Sequence, residues 1–142
     1  MSLTPSEYAA ARERFGKSRV ELPGADLELF EVAEIERRQA EYAKHPNWRP
    51  HWLAIGVDHF VGDALFLNVK DAALPVLTWM ADIDPDAWMV AVDPAAFFAS
   101  LERALGAGEN PAKALEAIDE LNDGAVDLDF WASVLDQDLP VE

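Results

Sequence analysis

Cysteine is absent from this sequence, and lysine and arginine are scarce after residue 50. Without cysteine, the chain has no disulfide framework, no thiolate metal site and no cysteine nucleophile. No apolar run reaches the ~18 residues that a membrane-spanning helix needs, and the first residues lack the basic and apolar regions of a secretory signal. These absences predict a cytoplasmic protein that does not enter a membrane.

The chain nevertheless contains enough apolar material for a folded core. Hydrophobic residues make up 51% of its 142 residues and include seven Phe and five Trp, which excludes a disordered chain despite a formal net charge of -16. This length is typical of one domain, and no internal repeat, linker or low-complexity segment divides it. We therefore expect a single domain over residues 1–142.

The acidic residues are concentrated after residue 50. Residues 1–50 contain eight Lys/Arg and nine Asp/Glu, whereas residues 51–142 contain three Lys/Arg and 18 Asp/Glu. Such a surface repels nucleic-acid phosphates and anionic membranes, and it attracts basic proteins. Solubility alone is a second explanation of the charge. Both explanations stay open, and the asymmetry within one small domain adds weight to a basic protein partner, with no direct contact to nucleic acid.

Capping residues predict helices at both ends of the chain. The first helix is expected to begin at Thr4-Pro5-Ser6-Glu7, which has the form of a capping box with Thr4 as the cap, and to end at Gly16. Asp93-Pro94 and Asn110-Pro111 are strong helix starts, because Asp and Asn cap and Pro suits the first helical position. Asp129 is expected to cap a last helix.

The middle of the chain has the pattern of strands. Four apolar runs are bounded by Gly, Pro, Asn or Asp and are too short for helices: Trp52–Ile55, Leu65–Val69, Val76–Met80 and Trp88–Val92. A short strand at Leu27–Phe30 and a helix over residues 33–43 precede them, and Phe97, Phe98, Leu101 and Leu105 form one apolar face after them. The fold class predicted is α+β, an antiparallel-rich central sheet flanked by N- and C-terminal helices.

The sequence contains no recognisable catalytic motif. It has no H-E-x-x-H pair, no nucleophile elbow, no phosphate-binding glycine loop and no dinucleotide fingerprint. His59, next to Asp58 and near Asp63, is the best candidate for a general base, but a histidine in an exposed hairpin loop is the more frequent situation. We therefore expect that the protein is not an enzyme, with no catalytic residue and no cofactor.

One acidic run superficially resembles a calcium loop. Asp82, Asp84 and Asp86 alternate, and Asp93 occupies the twelfth position. The sixth position is Ala87, where a calcium loop requires glycine, and the Asp93 side chain is too short to replace the bidentate Glu. We therefore expect a solvated acidic loop and no metal site.

Most of the five tryptophans fall on predicted strands at inward-facing positions, where core packing is expected. Trp48 is the exception, because it precedes the first long strand. It can cap the core or meet a partner, and Arg49 can stack against it.

Six segments follow one another in the order and spacing of a known family: Leu27–Leu29 with the helix Ala33–Tyr42, Trp48–Gly56, Asp58–Asn68, Pro75–Leu77, Trp88–Ala91 and Phe97–Leu101. Trp48–Gly56 is similar to that family's aromatic-rich strand, and Asp58–Asn68 to its Asp-rich hairpin. With these segments the chain resembles the SUKH superfamily, which includes fungal killer-toxin-resistance and cell-wall regulators and their bacterial relatives.

The resemblance implies a SUKH-like α+β domain, strongest over residues 27–101, with C-terminal helices over residues 110–142. It also implies an immunity protein that binds and neutralises a cognate toxin domain, often a nuclease. A nuclease has a basic surface, so an acidic inhibitor is complementary to it. The alternatives are an intracellular regulatory scaffold of the fungal cell-wall-regulator type and, less favoured, a hydrolase.

The predicted partner-binding residues are acids that are least committed to the core, together with Trp48: Asp58, Asp63, Asp82, Asp84 and Asp86. For Asp58 and Asp63 an alternative is equally open. Both can close the first hairpin by accepting hydrogen bonds from backbone N–H groups.

Overall fold

The computed structural model describes residues 4–46, 48–79, 87–126 and 128–136. Within these ranges the chain forms five helices and six strands, in the order α1 (Ser6–Phe15), β1 (Arg19–Leu22), β2 (Ala25–Leu29), α2 (Val32–Tyr42), β3 (Trp52–Asp58), β4 (Ala64–Asn68), β5 (Val76–Trp79), β6 (Trp88–Ala91), α3 (Pro94–Leu105), α4 (Pro111–Leu121) and α5 (Leu128–Val134).

The six strands form one antiparallel sheet in which sequence neighbours are also spatial neighbours, in the order β1 to β6. Helices from both ends of the chain flank it, so the predicted α+β class is confirmed. The strand β1 was not expected from the sequence. Its four residues alternate between exposed and buried positions. An alternation over only four residues does not predict a strand by itself, and these residues form one because the turn at Pro23-Gly24 places them next to β2.

The two Asx-Pro helix starts are confirmed. The Asp93 side chain accepts a hydrogen bond from the Ala96 N–H at 2.7 Å, and Asn110 accepts one from Lys113 N–H at 3.2 Å. The expected cap at Thr4 is wrong, because α1 has Pro5 at its N-cap and no side-chain capping bond. The expected cap at Asp129 is also wrong, because α5 begins one residue earlier and Asp129 lies inside its first turn.

The C-terminal helices close the outer edge of β6. Trp131, which is fully buried, donates its indole N–H to the Val90 carbonyl oxygen at 2.8 Å. Asn122 accepts a hydrogen bond from the Val92 N–H at 3.0 Å through Oδ1. One backbone group of the edge strand β6 and one of the segment just after it are thereby paired with side chains from α5 and from the end of α4, which protects this edge from pairing with another chain.

The helix α3 packs its predicted apolar face into the core. Phe97, Phe98 and Leu101 are all buried, whereas Leu105, expected on the same face, is the last residue of the helix and is 37% exposed. Phe98 contacts the rings of Tyr8 and Phe15 on α1. Aromatic packing of this kind fixes the N-terminal helix against the C-terminal half of the chain.

The Tyr8 side chain is fully buried, and its hydroxyl has no hydrogen-bond partner among the residues that the structure describes. Burial raises the pKa of Tyr8 far above its ordinary value of about 10, and the Arg12 guanidinium offsets this only in part. As the pH rises through about 10, tyrosine ionises in the unfolded chain and not in the folded one. The free energy of unfolding must therefore fall in this range.

Replacing Tyr8 by Phe is expected to leave the free energy of unfolding at pH 7 unchanged or to raise it by up to about 2 kcal/mol, because an unpaired buried hydroxyl is removed. The variant should also lose less stability than the natural protein between pH 9 and pH 11. Urea unfolding at pH 7, pH 9 and pH 11 measures both effects, and Tyr42→Phe should change the pH dependence in the same direction, because burial also raises the pKa of Tyr42. A loss of more than about 1 kcal/mol at pH 7 would show that the hydroxyl is paired.

Candidate functional site

The loop between β3 and β4, residues 58–63, is built around Asp58. Its Oδ1 accepts hydrogen bonds from the backbone N–H of Asp26 at 3.2 Å and of Phe60 at 3.0 Å. Its carbonyl oxygen accepts a third from Gly62 N–H at 2.7 Å, and Gly62 adopts φ +80°, a left-handed conformation that favours glycine. Asp58 is thus one of the residues that close the hairpin, the alternative weighed for it above.

The closed loop presents two apolar side chains to solvent. Phe60 is 60% exposed and Val61 is 66% exposed, the highest values among the large hydrophobic residues that the structure describes. Exposed apolar groups clustered on a rigid support are typical of protein-contact surfaces. Phe60 and Val61 are not among the partner-binding residues predicted from the sequence. The signal was available, since two large apolar residues interrupt a loop that is otherwise made of Asp, His and Gly.

A cleft of about 140 Å³ opens beside this loop. The turn before β2, the strands β4 to β6 and the helix α5 supply its walls. Three of its residues are acidic and no lysine, arginine or histidine is among the described residues that line it: Gly24, Asp58, Val61, Asp63, Leu65, Thr78, Trp88, Asp129, Phe130, Ser133 and Val134. The structure therefore brings Asp58 and Asp63 together with Asp129, which the sequence did not place near them.

His59 faces a different group of residues. Its Nε2 lies 2.8 Å from Oε1 of Glu28, and Glu28 in turn lies 3.6 Å from the guanidinium of Arg38. The His59 side chain is 43% exposed and does not line the cleft that contains Asp58 and Asp63. The structure thus places His59 in the exposed loop expected as the more frequent situation, paired with a carboxylate on β2.

Trp48 belongs to the core. It is 8% exposed, stacks on Tyr42 with ring centroids 5.3 Å apart, and donates its indole N–H to the Trp52 carbonyl oxygen at 3.3 Å. It therefore caps the core, one of the two roles considered for it, and offers little surface to a partner. Arg49, considered above as able to stack against Trp48, lies over the ring of Trp52, with 5.6 Å between the guanidinium carbon and the ring centroid.

Asp82, Asp84 and Asp86 lie outside the described residues, so their predicted role in partner binding stays a prediction. Asp93, the fourth residue of the apparent calcium loop, uses its carboxylate to cap α3. Among residues 4–46, 48–79, 87–126 and 128–136, no group of three or more His, Asp or Glu side chains is arranged to hold a metal ion.

Comparisons with protein-family models, with curated proteins and with solved structures found no match for this chain. The resemblance to the SUKH superfamily therefore remains a prediction from the sequence. In the described part of the chain, no helix is both long enough and apolar enough to span a bilayer.

Proposed function

We propose that this protein is a non-catalytic binding domain that docks onto a basic protein through the loop 58–63 and its neighbouring carboxylates. The observation that carries the proposal is the exposure of Phe60 and Val61 on a loop whose backbone is fixed by Asp58. Apolar side chains held on a rigid loop bind with little loss of conformational entropy. The carboxylates around them add charge complementarity.

In its finer form, the proposal is an immunity protein that acts in the cytoplasm and neutralises a cognate toxin, with a nuclease as the first class to consider. The resemblance of residues 27–101 to the SUKH superfamily supports this form, and so does the excess of acidic residues after residue 50. A nuclease holds phosphates with lysine and arginine, so an acidic protein can cover that surface and exclude the substrate.

The second candidate is an intracellular regulatory scaffold of the fungal cell-wall-regulator type. It would use the same surface, because the resemblance and the exposed loop apply to both. The two candidates differ in what binding does. An immunity protein abolishes the partner's activity, whereas a scaffold leaves it intact or localises it.

The test is a kinetic one on a partner captured by the immobilised protein and then purified. In Phe60→Ser, dissociation should be at least about tenfold faster, because truncating a central apolar anchor removes contacts made only in the complex. In the triple variant of Asp82, Asp84 and Asp86 to Asn, association should slow several-fold at low ionic strength and equal that of the natural protein at high salt.

The matched control changes Glu102, Glu109 and Glu116 to Gln, which removes the same number of charges from exposed positions of the helical part. It should leave dissociation unchanged and slow association less than the triple Asn variant does. Equal dissociation rates for Phe60→Ser and the natural protein would exclude the loop as the contact. A partner whose nuclease activity or toxicity persists at saturating concentrations of this protein would exclude the immunity role and favour the scaffold.

A further inference from the structure

The cleft beside the loop 58–63 is too small for a cofactor or a typical metabolite. Its volume is about 140 Å³, whereas pockets for small molecules usually enclose about 300–1,000 Å³. A single amino-acid side chain is the kind of group that such a cleft can enclose. The volume of the cleft therefore fits one side chain of a protein partner better than a small-molecule ligand.

The walls of the cleft are largely apolar. Val61, Leu65, Trp88 and Phe130 line it, and the first of these belongs to the exposed tip of the loop. An aliphatic chain would be well accommodated among these side chains, and the two aromatic rings can also contact a cation. The walls therefore favour a side chain with an apolar stem over a hydrated ion.

Among the described residues that line the cleft, the charged ones are all acidic. Asp58 is 6% exposed, and its Oδ1 is occupied by two backbone N–H groups. None of the described residues donates a hydrogen bond to its Oδ2, and none of the ion pairs in the described part of the chain includes it. Asp58 is therefore nearly buried and has no cationic partner among the described residues, and a cation that enters the cleft would supply one.

A metal ion fits these observations less well than an organic cation. The described residues contain no group of three or more possible ligands arranged around one point. An ammonium or guanidinium group needs fewer oxygen ligands than a calcium or magnesium ion, and its stem can occupy the apolar walls.

We propose that the cleft receives one lysine or arginine side chain of the protein partner, whose cationic end is attracted by the negative charge of Asp58, Asp63 and Asp129. Phe60 and Val61 would then contact the apolar surface next to that residue. This inference rests on the proposed function, because it identifies the chemistry of the partner that the loop binds.

The test needs no partner protein, so it can fail separately from the proposed function. N-acetyl-lysine N-methylamide, its arginine counterpart and the neutral norleucine analogue are titrated into the protein, and amide and indole resonances are followed by NMR. The cationic probes should shift the signals of Gly24, of residues 58–63 and of residues 129–134, with a dissociation constant on the order of millimolar, as expected for ligands of this size. Comparing the two cationic probes shows which end group the cleft prefers.

The test variant combines Asp63→Asn and Asp129→Asn and leaves Asp58 intact, because Asp58 also closes the loop. We expect at least a fivefold weaker affinity for both cationic probes. The control variant combines Glu102→Gln and Glu116→Gln, which makes the same change in net charge on α3 and α4, and it should bind the probes like the natural protein. Thermal unfolding of both variants verifies that they are folded.

Three outcomes would overturn the inference. The first is that the norleucine analogue binds as tightly as the lysine probe, which would make the site merely apolar. The second is that calcium chloride shifts the same resonances while the cationic probes shift none of them, which would make the cleft a metal site. The third is that the cationic probes bind the test variant and the natural protein with equal affinity. In each case the kinetic experiment with Phe60→Ser still decides whether the loop binds a protein.

Discussion

Replacing Gly24 by alanine is expected to lower the free energy of unfolding by about 3–5 kcal/mol. A Cβ atom at this position would overlap the carbonyl oxygen of Ser133 and lie 3.0 Å from its carbonyl carbon. The Gly24 N–H also donates to the Val134 carbonyl oxygen at 2.8 Å. The obstacle is backbone and not the end of a flexible side chain, so the turn and α5 must move apart.

Urea unfolding followed by tryptophan fluorescence measures this effect, because Trp131 on α5 is fully buried against β6. The matched control is Gly106→Ala. The Cβ atom at that position would lie 3.4 Å from the Glu102 carbonyl oxygen, an ordinary contact, and φ is -89°. The control should change stability by less than about 1 kcal/mol. A similarly small effect of Gly24→Ala would mean that α5 does not pack closely on this turn.

Asn122→Leu is the second change with a large expected effect, because it should lower the free energy of unfolding by about 2–5 kcal/mol. The Asn122 side chain is fully buried and makes three hydrogen bonds. Its Nδ2 donates to the Ile118 carbonyl oxygen at 2.8 Å and to Ser100 Oγ at 3.1 Å, and its Oδ1 accepts from Val92 N–H. Leucine has a similar size and would leave these buried groups without a partner. Chemical denaturation checks the magnitude, and a loss below about 1 kcal/mol would contradict it.

Asn122→Asp tests the burial of this side chain through the pH dependence of the free energy of unfolding. The introduced carboxyl can still accept from Val92 N–H, but burial must raise its folded-state pKa above the unfolded value of about 3.9. The folded state then binds a proton that the unfolded state has released, so stability relative to the natural protein is lost as the pH rises through the folded-state pKa. We expect a larger deficit at pH 7 than at pH 4. A deficit that is equal at both pH values would show that the carboxyl is not buried.

The sequence by itself determined the elements that depend on local signals. Asp93 and Asn110 correctly predicted where α3 and α4 begin, because a capping side chain and the proline after it act within one helical turn. The four apolar runs after Pro50 became β3 to β6, because the turn residues between them left room only for hairpins. The α+β class followed from the order of these elements. The strand β1 could not be predicted from the sequence, since its four residues become a strand only by pairing with β2.

Only the tertiary structure decided what the individual site residues do. Asp58 and Asp129 are 71 positions apart in the sequence, and they line one cleft because α5 packs across the turn that contains Gly24. The exposure of Phe60 is likewise opposite to what residue type alone favours, and the burial of Trp48 could not be inferred from its position before the first long strand. Trp48 is enclosed by rings from α2, β3 and β4, whereas Phe60 lies on a loop that Asp58 fixes away from the core. Local sequence determines which backbone conformation each segment prefers. Which side chains are buried, and which distant residues come into contact, depends on the surfaces that the sheet and helices bring together.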